Sequence, residues 1–114
     1  MKYLIKLAFC GIVIFFYSSV ANAEDKEFDW NYENKKIVRS MLKDPKSAEF
    51  RNVYFNRANL GGKTVPITCG EVNSKNSFGG YSGFTRFVSA GSAMTVLEDQ
   101  VKDFHKVWNK LCVK

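Results

Sequence analysis

The spacing of apolar positions changes along this chain, and each change marks an element. Over 30–43, Ile37, Val38, Met41 and Leu42 recur at helical spacing, Trp30 and Phe28 extend the same face, and Lys35, Lys36 and Arg39 form a solvated one. The pattern predicts a helix from Trp30 to Lys43 with Asp29 as its N-cap, preceded by a charged, loose stretch over 24–29. Asp44-Pro45 ends it, because the residue before proline avoids helical dihedrals and proline donates no backbone hydrogen bond. Pro45 to Ala48 then forms one tight helical turn capped by Asp44. From Glu49 to Asn59 the β-branched and aromatic residues Phe50, Val53, Tyr54 and Phe55 read as a strand. Its alternation is broken, so either both faces are covered or a bulge intervenes. Leu60-Gly61-Gly62-Lys63 is a hairpin connection, since paired glycines tolerate the primed turns that match strand twist. Thr64 to Asn73 returns with Val65, Ile67 and Cys69 on one face, and Pro66 marks an edge or a bulge.

Gly83 to Ala90 follows as a third strand, with a short fourth over 93–97. Leu97, Val101, Phe104, Trp108 and Leu111 then alternate steps of four and three, a stripe that requires a helix pressed on a sheet. That helix opens at Glu98 or Asp99, with Met94 to Leu97 left between strand and helix. The expected architecture is α+β: a small antiparallel sheet of three to four strands flanked by an N-terminal and a C-terminal helix, at least the last of them on one sheet face. Strands in succession with helices only at the ends argue against a doubly wound sheet.

Met1 to Ala23 falls outside this pattern. Lys2 and Lys6 precede an apolar run from Leu7 to Tyr17, and Ala21-Asn22-Ala23 fits the small-x-small cleavage rule, so 1–23 reads as an export signal and 24–114 as a single domain. An uncleaved anchor is disfavoured because the run is shorter than the roughly 20 residues that span a bilayer. A lipoprotein signal at Cys10 is disfavoured by the bulk of Phe9. Cleavage removes two lysines and no acid, which brings the formal charge from +6 to +4. The remaining basic residues are dispersed among acids, against nucleic-acid binding, and no transmembrane segment is expected after cleavage. The reading places the chain in the periplasm or outside the cell.

Cys69 and Cys112 are the cysteines left after cleavage, and an oxidising compartment predicts one disulfide between them. Closing that loop disfavours the unfolded state by about 4 kcal/mol on the chain-entropy treatment. A catalytic dithiol would need C-x-x-C, and a zinc site would need more ligands than these cysteines and His105, so neither metal nor cofactor is expected.

The most unusual stretch is Cys69 to Phe87, CGEVNSKNSFGGYSGFTRF. Gly supplies positive φ, and Asn and Ser hydrogen-bond their own backbone. Rigid aromatics beside adaptable amides form the mixture found in binding loops, which makes Asn73, Asn76, Phe78, Tyr81, Phe84 and Arg86 the candidate ligand-binding residues. The competing reading packs Phe78, Tyr81 and Phe84 inward as an Ω-loop plug, with Glu71 and Arg86 paired between neighbouring strands. For chemistry, Glu71 or an Asp with His105 is the best available pair, and Asp44, Glu49 and Glu71 supply carboxylates of unknown separation. The chain lacks G-x-S-x-G, H-E-x-x-H and a P-loop, and no catalytic residue is assigned.

Three segments, LKDPKSAEFRN from Leu42, CGEVNSKNSFGGYSGF from Cys69 and WNKLC from Trp108, resemble the signature segments of a family of small exported proteins of Gram-negative bacteria and their mobile elements. Those segments make up about a third of the mature chain. It implies export, size and the paired cysteines, and supplies no reaction. The function expected is a non-catalytic binding or inhibitory module acting on an envelope protein or cell-wall glycan. A small envelope hydrolase, or a structural or host-interaction protein of a mobile element, is the alternative.

Overall fold

The structure is a computed structural model that describes residues 22–113, so the export-signal reading lies outside the described residues except at Asn22 and Ala23. The elements run α1 (Asn22–Ser40), a 3-10 turn (Pro45–Ser47), β1 (Glu49–Leu60), β2 (Lys63–Asn73), β3 (Thr85–Ser89), β4 (Thr95–Leu97) and α2 (Phe104–Leu111). The strands form one antiparallel sheet in sequence order. The architecture is the expected α+β one, with a single disulfide joining Cys69 of β2 to Cys112 just after α2.

The broken alternation of β1 has both of the anticipated causes. The register slips between Arg51 and Tyr54, and Asn52 takes a left-handed φ of 53° at the slip. Both faces are also covered. On one, Ala58, Ile67, Cys69 and Val88 meet Phe104, Leu111 and Cys112. On the other, Val72, Phe87 and Leu97 meet Val38 of α1, with Phe50 and Val53 beside them. The two helices therefore cover opposite faces of the sheet. Pro66 sits in β2 opposite Arg57, beyond the point where β3 begins to pair at Thr68, so its missing N–H leaves no ladder bond unmade.

The structure corrects the sequence reading at both helices. Residues 24–29 are helical rather than loose, and α1 ends at Ser40 rather than Lys43. Its sheet-facing stripe is partly polar, which is why apolar spacing missed its first turns. Fully buried Asn34 donates to Thr68 Oγ1 at 2.9 Å, and its Oδ1 accepts from Gly91 N at 3.1 Å. Thr68 in turn donates to Asn31 Oδ1 at 2.6 Å. These bonds satisfy groups that would otherwise be buried without partners, so the helix docks in one register. Phe28, expected on the core face, is 72% exposed. Lys35 and Arg39, expected in solvent, lie over the Phe50 ring at 5.7 and 5.4 Å.

At the other end, Leu97 belongs to β4, opposite Phe87, and Val101 lies in an exposed turn. Asp103 takes φ 57°, a break after which only Phe104–Leu111 is helical. The last helix is thus two turns long, and only Phe104, Trp108 and Leu111 of the expected stripe lie on it. The 3-10 turn forms as expected, but Asp44 contributes its backbone carbonyl, which accepts from Ser47 N and Ser47 Oγ, and no side-chain cap.

Candidate functional site

The connection from Ser74 to Phe84 is a small hairpin of its own, with Lys75 bridging to Tyr81. Asn76 latches it. Its backbone N donates to Gly80 O at 2.8 Å, its O accepts from Gly79 N at 3.0 Å, and its side-chain Oδ1 accepts from Phe78 N at 2.9 Å and Gly80 N at 3.3 Å. Gly79 at φ 82° and Gly83 at φ 101° supply the left-handed turns that an L side chain would strain. Asn73 closes the base by accepting from Gly83 N at 3.0 Å. The stem is then tied to the 3-10 turn: Lys75 N donates to Ser47 Oγ at 2.8 Å, and the Tyr81 hydroxyl donates to Ser47 O at 3.1 Å. Desolvation, followed by the carboxylates of Glu49 and Asp44, pushes the Tyr81 phenol up, so it stays a neutral donor.

These bonds divide the six candidate residues. Phe78, at the tip, is 94% exposed, and Tyr81 beside it is half exposed, so the inward plug does not form. Asn73 and Asn76 turn their oxygens onto the loop backbone and act as its frame. Phe84 is half buried with the Arg51 guanidinium 3.7 Å above its ring centre. Arg86 holds Glu98 at 2.7 Å and lies over Phe104 and Trp108. The tip therefore presents Phe78 and Tyr81 alone.

Behind the loop, where α1 ends, lies a cleft of about 260 Å³. Leu42, Val72 and Leu97 line it with apolar surface, while Ser74, Lys43 and Asp99 add polar groups. Four separate stretches, 41–43, 72–76, 82–85 and 97–100, build it, and nothing in the order of residues announces it.

Glu71 and Arg86 face each other across β2 and β3, yet the ion pairs form elsewhere. Glu71 accepts from Asn52 Nδ2 and from Arg51, each at 2.9 Å, and Arg86 pairs with Glu98. His105 lies exposed on α2, and both Glu71 oxygens are taken up by Asn52 and Arg51. Among the described residues no group of three or more metal-capable side chains forms, and no helix is long and apolar enough to cross a membrane. No known protein family, curated protein or solved structure matches the chain.

The two carboxylates carry a pH prediction. Glu71 is held below the usual range first by the Asn52 hydrogen bond and then by Arg51, and Glu98 first by its bond from Arg86. A carboxylate with a lowered folded pKa stabilises the fold fully above its unfolded value of about 4.3. That contribution disappears as pH falls through the lower folded value. The melting temperature is expected to fall below about pH 4, and Glu71→Gln to flatten part of the descent. An acid limb identical in the variant would refute this role. The effect is small, because Arg51 and Glu98 are 52% and 40% exposed and water screens them.

Proposed function

We propose that the chain is an exported, non-catalytic binding or inhibitory module that engages an envelope protein or cell-wall glycan through the loop between β2 and β3. Its compartment is periplasmic or extracellular. The disulfide supports an oxidising setting, as do the export-signal pattern of 1–23 and the resemblance to small exported proteins.

One observation carries the binding role: a phenyl ring 94% exposed at the apex of a loop whose backbone is already fixed. Exposed apolar surface contributes nothing to folding, whereas a preformed aromatic knob enters a partner's pocket with little ordering cost. Ser77, Gly79 and Gly80 keep the knob slim, and Tyr81 adds a ring with a polar end. Occupation of a partner's cleft by such a knob is also how the module would inhibit an envelope enzyme.

The test is capture from an envelope extract with immobilised wild-type protein and Phe78→Ala. The truncation is expected to weaken the captured complex by about thirtyfold, the effect of a moderate hot spot. Its melting temperature should stay at the wild-type value, since Phe78 packs on almost nothing. Equal capture by both proteins would sink the proposal.

A further inference from the structure

The sheet has two edges, and they are unlike. β4 is three residues long and runs into a turn, which blunts its side. β1 spans twelve residues and, among the described residues, pairs with β2 alone. The bulge at Asn52 interrupts its first part, so the regular open edge runs from Val53 to Leu60.

The direction of its backbone groups follows from the hairpin. Leu60 and Lys63 flank the two-residue turn Gly61-Gly62 and so exchange hydrogen bonds. Alternation back along β1 aims Ala58, Asn56 and Tyr54 at β2, and Asn59, Arg57 and Phe55 outward. The same parity, carried across the sheet, puts Arg86 and Ala90 toward β4, where Arg86 O accepts from Glu98 N and Ala90 N donates to Met94 O. The N–H and C=O groups of Phe55, Arg57 and Asn59 therefore form an open ladder.

We propose that this ladder pairs with a second copy of itself, the two β1 strands running antiparallel about a two-fold axis at Asn56. Outward residues must meet outward residues, which puts the axis on a residue, and the regular part of the edge offers Phe55, Asn56, Arg57 or Ala58. An axis at Ala58 sets Arg57 against Asn59 and runs Phe55 past the partner's strand, opposite its Gly61 turn. An axis at Arg57 sets two guanidiniums directly opposite, a like-charge pair that destabilises a ladder. An axis at Phe55 carries Asn59 opposite Arg51, beyond the bulge where the ladder is lost. The axis at Asn56 brings each Phe55 opposite the other copy's Arg57 and forms two complete hydrogen-bonded pairs. It also places a guanidinium beside the Phe55 ring, over which Arg57 already lies at 4.9 Å within its own chain. Arg57 is the one charge between Val53 and Leu60 and is already paired with Glu27 of α1 at 3.1 Å. The axis at Asn56 therefore sets a neutralised guanidinium against the other copy's Phe55 ring twice over, a match that a second copy supplies and an unrelated strand does not. Pairing joins two four-stranded sheets into one and leaves both Phe78 tips free.

Light scattering on the purified, disulfide-bonded protein across a dilution series tests this, with twice the chain mass expected at high concentration. Arg57→Pro removes an outward donor that the single copy does not use, a place where an edge strand tolerates proline. It should raise the dissociation constant by on the order of thirtyfold, while Arg57→Ala, which keeps the donor, stays dimeric. Oxidised Asn56→Cys should cross-link two copies, because facing residues of a non-hydrogen-bonded pair lie within disulfide reach. Asn59→Cys, far from the axis, should not. This pair decides the register even if the proline variant fails to fold. A monomer at every concentration overturns the proposal. So does a dimer that Arg57→Pro leaves intact, or a ladder that captures an added extended peptide while the chain itself remains single.

Discussion

Replacing Cys69 and Cys112 together by serine is expected to lower the stability of the domain by about 4 kcal/mol. The bond closes a loop of 43 residues, and its main effect is to remove open conformations from the unfolded chain. For a domain of this length the melting temperature should drop by roughly 20 °C, enough to leave much of the population unfolded at growth temperature. The bond matters locally as well. Helix α2 is only eight residues long, too short to hold its shape without tertiary contacts. It is pinned at its end by the disulfide, by Tyr54 donating to Cys112 O at 2.6 Å, and by Asn56 Nδ2 donating to Leu111 O at 2.6 Å. Thermal melts of the double serine variant, and of wild-type protein with and without reductant, should agree. A shift below about 5 °C would mean that the hydrogen bonds alone hold α2, against the loop-entropy argument.

The strands were legible because two-residue periodicity and the Gly-Gly turn are local signals. Val65, Ile67 and Cys69 announce one face, and Gly61-Gly62 announces the reversal beside them. Helix α1 was legible only where its buried stripe is apolar, at Val38, with Leu42 just past its end. Its earlier turns reach the sheet through Asn31 and Asn34, residues that apolar spacing assigns to solvent. The last helix misled in the opposite sense. Leu97 and Val101 fit its stripe by spacing, but Leu97 pairs opposite Phe87 in β4 and Asp103 turns left-handed, and both events depend on tertiary context.

The loop shows the same division. Its Gly, Asn and aromatic content marked a connection that hydrogen-bonds its own backbone and left open whether its rings point outward or inward. Which asparagines frame it and which rings leave it follows from the contacts of Asn76 with Phe78 and Gly80 and of Asn73 with Gly83. A residue's type allows both roles. The cleft behind the loop was not legible at all, because Leu42, Ser74 and Asp99 come from segments that meet only once the sheet is folded.

Phe87→Ala is expected to cost about 4 kcal/mol, a loss comparable to that of the disulfide but arising in the folded state. The ring is fully buried and packs edge-on to Phe50, with centroids 5.8 Å apart and planes at 84°. Gly70 makes the position possible: a Cβ there would stand 2.9 Å from Val53 and 3.0 Å from the Phe87 ring. The ring fills the space that glycine leaves and supports Val72 and Leu97, two residues of the cleft wall. Its removal opens a cavity under α1 at a point where Val38 is the helix's main apolar contact, and the polar bonds of Asn34 cannot close around it. Urea unfolding should show a lower midpoint with an unchanged slope, and Phe87→Leu should lose about half as much. Because the loop is held by Asn73, Asn76 and Ser47 rather than by this cluster, capture through Phe78 should survive below the new midpoint. A Phe87→Ala protein as stable as wild type would show that Gly70 and Phe87 do not meet as described.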